Sequence, residues 1–565
     1  MGPVLETSAN TLPEQNATRK QIRSSSLLLL GRVLSLGINF FTQVLMIRYL
    51  STRDFGELAY GLAVVSLFRV FASLGLQDAI PRYVPIYREN REYGKMFGTI
   101  LLAMGAVLAT GVLIVFVVWI APLFLTPSPA RETLSRLTVL SILIVMVPVE
   151  AADALLDGLF ASFAATRDIF FRRYLLGPGL KFGVVLLLLG MKSTIIFLAC
   201  GYLAAGTLGV LVYGIMLINL LREQSLLQRF RFKEIDIPAR ETLAFVLPGL
   251  VSALALCICP VNAFLLGRLR TISDVAFYRA AGPISELNNI VFTSFTLLFT
   301  PLAARLFARA DYRALNGLYW QTAAWMSVLT FPIFAVTFSL AKPLTMFLYG
   351  VRYAPSGPVL ALLSLASYFN VVLGFNLQTL KVYGRWRYVI HASVVTVLAN
   401  LIVSTVLIKQ YGTIGAAIGS AVTLIGYNLL MQAGLSPTAH IHVFDRRYLL
   451  VYLTIALGAG GLFFVSSLTS LSFFALLPCA ACVSLCVFAV AKKKLSIAET
   501  FPELLRLPFI RLIFAQQSDS ASGRTFPCTD FVVSVPSTRT AYDSASSVRE
   551  PAQGTEMDSV SERAS

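Results

Sequence analysis

Charge is what this sequence has least of. Charged residues make up 13% of its 565 positions, and only 29 are acidic; ordinary soluble domains carry about 25%. With so little polar surface, a water-soluble chain of this length could not cover its own core. Cysteine is also sparse, with seven in all, which excludes a disulfide scaffold. Cys479 and Cys482 make a CxxC, but no second CxxC and no His pair accompanies it. Apolar surroundings make these small membrane-helix residues, and no metal or redox site is expected. Residues 1–23 lack an apolar core followed by a cleavage site, so no removable signal peptide is expected. The sequon at Asn16 falls on the cytoplasmic side in the topology below and is discounted. No connection on the outer side exceeds about 16 residues, which leaves no room for an extramembrane catalytic loop.

Apolar residues are what the chain has instead: 56% of the total, with a mean hydropathy of +0.74. A spanning helix needs ~20 mostly apolar residues. Fourteen stretches qualify: 24–47, 57–80, 97–120, 137–161, 174–190, 194–221, 243–266, 275–300, 318–340, 355–378, 388–408, 413–435, 448–467 and 471–491. The fold class is therefore an all-α polytopic membrane protein. An even number of spans puts both termini on one side. With that side cytoplasmic, 26 basic residues up to Lys494 fall on the inner side, against 10 outside, as the positive-inside rule requires. The formal net charge of +17 is explained by that rule, and no nucleic-acid partner is expected. A multi-pass protein of the cytoplasmic membrane results, with both termini cytoplasmic.

Shifting the sequence by 220 residues aligns Arg48 with Arg268, Asp54 with Asp274, Pro81 with Pro301 and Tyr87 with Phe307. The shift predicts two six-helix lobes, 24–221 and 243–435, joined by a cytoplasmic linker at 222–242. An even helix number per copy makes the repeats parallel, related by an axis along the membrane normal, as in alternating-access transporters. Spans 13 and 14 (448–491) lie outside the repeat. Residues 496–517 read as an interfacial amphipathic helix interrupted by Pro508, and the Ser-rich residues 518–565 as a disordered cytoplasmic tail.

Eight charges fall at least four residues inside the ends of the spans: Arg32, Arg69, Lys181 and Arg279, and Glu150, Asp153, Asp157 and Glu286. Each costs ~2.5–3.5 kcal/mol to insert, so each is expected to face a cavity or a partner. Three of the four cations lie in the first half, a pattern that suits a phosphate or pyrophosphate group. Buried ion pairs are the structural alternative. Glu150, Asp153 and Asp157 share one helix face. Their mutual repulsion makes them a candidate coupling site for H⁺ or Na⁺, unless the last two are merely solvated at the cytoplasmic end. The in-span amides Asn262, Asn288, Asn289, Asn370, Asn376 and Gln378 bond between helices as readily as they bind substrate.

Several local patterns resemble one family when taken in order. Arg48-Tyr49-Leu50 with Asp54-Phe55-Gly56 resembles the first outer loop of polysaccharide exporters, and residues 74–83 resemble the end of their second helix. Leu265-Leu266-Gly267, Asp274-Val275 and Tyr278-Arg279-Ala280-Ala281 resemble the opening of their second half. Tyr349 to Tyr353 and Tyr411 to Ala417 extend the pattern, which covers about residues 20–490. The chain is similar to Wzx-type oligosaccharide flippases of the multidrug/oligosaccharidyl-lipid/polysaccharide exporter superfamily.

The resemblance implies a two-lobed, fourteen-helix transporter without a cofactor. It also implies movement of a polyprenyl-pyrophosphate-linked oligosaccharide to the outer leaflet, coupled to an ion gradient. Arg32, Arg69, Arg279 and Lys181 are the expected substrate-binding residues, Glu150, Asp153 and Asp157 the expected coupling residues, and a monomer in membrane lipid the expected state. Where many relatives carry Asp before the Leu-Leu-Gly stretch, this chain has Asn262. Two alternatives are a drug/cation antiporter of the same superfamily and a membrane sugar polymerase or glycosyltransferase. Spans 13 and 14 argue against the first, and the short outer connections against the second.

Overall fold

The computed structural model describes residues 11–125, 131–163, 165–191, 194–255, 257–435, 445–469 and 472–492. The expected amphipathic helix at 496–517 and the Ser-rich tail lie outside the described residues. All regular structure among the described residues is helical. The first group is α1 (Thr11–Tyr49), α2 (Thr52–Ser73), α3 (Leu76–Glu89), α4 (Tyr93–Leu125), α5 (Arg131–Leu143), α6 (Met146–Ser162) and α7 (Thr166–Ile169), then a π-helix (Phe170–Leu176), α8 (Gly177–Met191) and α9 (Ile195–Glu223). The second is α10 (Ala239–Ala255), α11 (Ile258–Leu269), α12 (Ile272–Glu286), α13 (Asn289–Ala308), α14 (Tyr312–Phe334), α15 (Ala341–Tyr349), α16 (Ser356–Leu373), α17 (Phe375–Val382) and α18 (Trp386–Leu435). Two more helices follow, α19 (Leu449–Leu468) and α20 (Phe473–Lys492).

Among the described residues eleven helices are long and apolar enough to cross a bilayer, or twelve if the bent pair within α13 counts as one span. Fourteen crossings require two further readings. One is that α10 and α11 form a single broken span. The other is that α18 counts twice. This helix folds back on itself at Gly412, whose φ of 59° is not helical. Beyond it Gly419 packs on Ser404, and Tyr388 donates to the Leu430 carbonyl at 2.5 Å, contacts that only an antiparallel hairpin makes. Large apolar side chains such as Phe41, Leu113, Ile402, Leu457 and Leu485 are exposed on these helices, as a surface solvated by lipid tails requires.

Local chemistry sets the helix ends. Ser51 and Thr271, 220 residues apart, cap α2 and α12: their hydroxyls accept from the backbone N–H groups of Asp54 at 3.1 Å and Asp274 at 3.3 Å. Such caps contribute about 1 kcal/mol each. The break between α2 and α3 places Leu74 and Gly75 at φ 47° and 73°, a left-handed pair that glycine makes tolerable. Gly75 is held there against Val246 of α10.

The two groups of helices meet closely at the end bearing Arg48. There Gly56 lies so near the Ile272 carbonyl that a Cβ would come within 2.3 Å of it. Tyr60 stacks on Phe264 at 6.1 Å. Arginines staple helix ends across the junction: Arg48 donates to the carbonyls of Leu348 and Phe347 at 2.6 and 2.7 Å, and Arg352 to those of Ile47 and Arg48 at 2.6 and 2.7 Å. A guanidinium at a helix C-terminus satisfies the free carbonyls and the negative end of the helix dipole.

Candidate functional site

A charged cavity of about 610 Å³ lies in the first group of helices. The spacing of 3 and 4 residues along α6 turns Glu150, Asp153 and Asp157 to one side, and all three line this space. Arg69 reaches it from α2 and Lys181 from α8. Gln77 and Asp78, just past the left-handed break, reach it from α3, and Ser35 and Asn39 from α1. The expected coupling carboxylates and two of the four expected substrate-binding cations therefore share one cavity.

Arg172 and Arg173 complete it. The sequence reading placed both in an inner connection. The helix instead begins at Thr166 and its wide π-turn presents both arginines to α6. Arg172 forms an ion pair with Asp153 and donates from Nε to the Gly209 carbonyl at 2.9 Å. Its side chain is only 8% exposed. A Cβ on Gly177 or Gly209 would meet the guanidinium at 2.9 Å, so glycine at both positions makes room for it. Arg173 pairs with Asp157 at 3.3 Å, and Asp157 also accepts from the Tyr213 hydroxyl at 3.0 Å. Stacking of Phe160 on Tyr213 at 4.2 Å fixes that phenol. Two carboxylates of the face are thus held by strong, charge-assisted contacts.

The cavity carries four cations (Arg69, Arg172, Arg173 and Lys181) and four carboxylates (Asp78, Glu150, Asp153 and Asp157). Its net formal charge is zero, yet the charges are not equally engaged. Arg69 stands 3.9 Å from Glu150, at the limit of an ion pair, with its side chain 42% exposed. Its buried Nε has no hydrogen-bond partner. Lys181 lies over the Tyr202 ring at 5.9 Å. Arg69 and Lys181 are therefore the cations with donors to spare, whereas Arg172 is fully committed to protein groups.

Arg32 does not line this cavity among the described residues; it is exposed on α1. It nevertheless belongs to the same stripe as Ser35, Asn39 and Gln43, whose spacings of 3, 4 and 4 define one helix face. That face leads from the cavity toward the second group, where the Gln43 amide donates to the Arg279 carbonyl at 3.4 Å. The Arg279 side chain lines a separate pocket of about 250 Å³ with Glu286. No group of three or more metal-ligating side chains occurs among the described residues, and six cysteines, including Cys479 and Cys482, are free thiols.

Comparison with known proteins fits this architecture. Residues 22–307 match the family model described as polysaccharide biosynthesis protein. An uncharacterised membrane protein of Methanocaldococcus jannaschii is 23% identical over 436 residues, which cover 73% of this chain and 82% of the relative. Among solved structures, the lipid II flippase MurJ in an inward closed conformation superposes with a TM-score of 0.61 at 17% identity, covering 84% of this chain and 99% of that one. An inward-facing multidrug-resistance MATE transporter of the MOP superfamily superposes with a TM-score of 0.56 at 14% identity, covering 71% and 94%. At these identities the superpositions establish a shared fold of multi-pass membrane transporters. The family match extends over half of the sequence and takes in the whole charged cavity, and the chain accordingly belongs to the polysaccharide biosynthesis protein family.

Proposed function

We propose that the protein moves a polyprenyl-pyrophosphate-linked oligosaccharide from the inner to the outer leaflet of the cytoplasmic membrane by alternating access. The observation that carries this reading is the unequal engagement of charge in the cavity. Arg69 and Lys181 keep free donors in a space where lipid cannot solvate them, and a pyrophosphate is the group that would use them. Arg binds such a group bidentately, while Lys adds a point charge. Arg32, one turn further along the α1 face, meets the anion as it enters.

The pyrophosphate is thus held within the first of two sets of helices, six to a lobe and related as a parallel repeat, with helices 13 and 14 outside the repeat. Both termini are cytoplasmic in this reading, so the stapled Arg48 end is the outer gate and the resting state faces inward. Glu150, Asp153 and Asp157 take up H⁺ or Na⁺ when the arginines that hold them shift during the cycle. The sugar is not read by these charges, which is why a single clamp serves any glycan attached to the pyrophosphate.

Asp78, exposed in the cavity, favours a second reading, export of organic cations in exchange for an ion. Reconstitution into vesicles separates the two. The flippase reading expects a fluorescent polyprenyl-pyrophosphate-linked saccharide to change leaflet only when the protein is present. Cation uptake without any lipid movement would replace it with the antiporter.

A further inference from the structure

The second pocket holds two charges that the charged cavity does not use. It lies between α11, α12, α16 and α18 and encloses about 250 Å³, below the ~300–1,000 Å³ of sites for drug-sized ligands. Arg279 and Glu286 line it two turns apart on α12, and neither head group has a hydrogen-bond or ion-pair partner among the described residues. They interact electrostatically without touching. Two unneutralised charges inside a membrane protein are costly, and their arrangement limits what can relieve the cost. A ligand that serves both must donate to a carboxylate and accept from a guanidinium, and a neutral hydroxylated one does so without bringing a further charge into the membrane.

A hydroxyl does both. Asn289 and Ser367 add further polar atoms on the same lining, while Ile258, Leu363 and Leu424 supply an apolar floor. By contrast Ser420 is saturated, since it accepts from the Asn262 amide at 2.7 Å, bonds the Tyr278 hydroxyl at 2.6 Å and donates to the Ala416 carbonyl at 2.8 Å. It belongs to the wall of the pocket and has nothing left to offer a ligand. One ring bearing several hydroxyls on its edge and C–H groups on its face matches this set in size and in chemistry. One contact links the two regions: the polar face of α1 that carries Ser35 and Asn39 continues to Gln43, whose amide donates to the Arg279 backbone carbonyl at 3.4 Å.

We infer that this pocket binds a single saccharide ring, the one attached directly to the pyrophosphate. Glu286 accepts from ring hydroxyls, and Arg279, Asn289 and Ser367 complete the contacts. The inference rests on the lipid-linked saccharide reading and refines it. The pyrophosphate is held by the first group of helices, and the first sugar is selected by the second. Arg279 is thereby moved from the pyrophosphate clamp, where the sequence suggested it, to the sugar.

The test compares equilibrium binding of bare polyprenyl pyrophosphate with that of the same lipid carrying one glucose, galactose or N-acetylglucosamine, using the full chain in detergent. At least one sugar-bearing lipid is expected to bind tenfold or more tightly than the bare lipid, because hydrogen bonds to charged groups are the strong ones. Glu286→Gln and Ser367→Ala are each expected to cut that ratio at least threefold. The ratio is taken within each variant, so a general loss of affinity cancels, and a melting curve checks that each variant folds. Equal binding of bare and sugar-bearing lipids, or a ratio that survives both substitutions, overturns the sugar site and leaves the flippase reading standing. If no lipid binds, bare or glycosylated, the flippase reading fails and the sugar site fails with it.

Discussion

Replacing Arg172 by Met separates the charges that hold the first group of helices together from those free to hold a substrate. The Arg172 side chain is 8% exposed, pairs with Asp153 and donates to the Gly209 carbonyl at 2.9 Å. Its loss takes the ion-pair partner from Asp153 and the side-chain donor from a carbonyl in the middle of α9. Breaking a buried pair from one side costs about 3–5 kcal/mol, whereas replacing both partners by neutral groups is often near neutral. Arg172→Met is therefore expected to destabilise by about 3–5 kcal/mol, and Arg172→Met with Asp153→Asn to recover most of that. Arg69 provides the contrast. Its 3.9 Å approach to Glu150 at 42% exposure belongs with exposed pairs of about 0–1 kcal/mol, so Arg69→Met is expected to leave stability nearly unchanged. Thermal unfolding of the purified protein in one detergent reads all three. If Arg172→Met costs less than 1 kcal/mol, or if the double variant is no better than the single, Arg172 does not hold the structure and the division between committed and available cations is wrong.

Two further outcomes follow from the geometry. Arg48→Gln with Arg352→Gln removes four charge-assisted hydrogen bonds to helix-end carbonyls. It is expected to raise severalfold the labelling rate of a cysteine replacing Ala59, which is buried on α2 one turn beyond Phe55 where that ring packs on Tyr353, measured against the same cysteine in the otherwise native chain. Gly98→Leu on α4 is expected to release the linker between the two groups, because even a Cβ there would lie 1.9 Å from the Asp236 carbonyl; limited proteolysis between residues 230 and 240 should become faster, while an unchanged rate would mean the linker is held elsewhere.

The helices were legible because hydropathy is a sum over ~20 residues and tolerates local error. The hairpin within α18 was legible for the same reason: the apolar runs stop at 408 and resume at 413, on either side of Gly412. The caps at Ser51 and Thr271 surfaced in the sequence through their partners Asp54 and Asp274. Arg172 and Arg173 were not legible. Counting basic residues assigns any Arg near the end of an apolar run to the adjoining connection, and no sequence signal announces a π-turn. A pair of arginines some twenty residues after three same-face carboxylates was the available clue, but linking them needs the packing of two helices. Arg279 and Glu286 were visible as a seven-residue pair and open to being read as mutually neutralising. They form no ion pair with each other, because two helical turns of separation hold their head groups apart.

The central claim is that loosely engaged cations in the charged cavity hold the substrate's pyrophosphate. The most direct measurement is the flipping rate of a labelled polyprenyl-pyrophosphate-linked saccharide in vesicles containing the native protein, Arg69→Ala, Arg69→Lys or Lys181→Ala, at matched protein incorporation. The account predicts at least a tenfold loss for Arg69→Ala, a smaller loss for Arg69→Lys, which keeps the charge but not the bidentate fork, and a clear loss for Lys181→Ala. Native rates in both alanine variants, with normal insertion, would contradict it and leave these charges only a structural role.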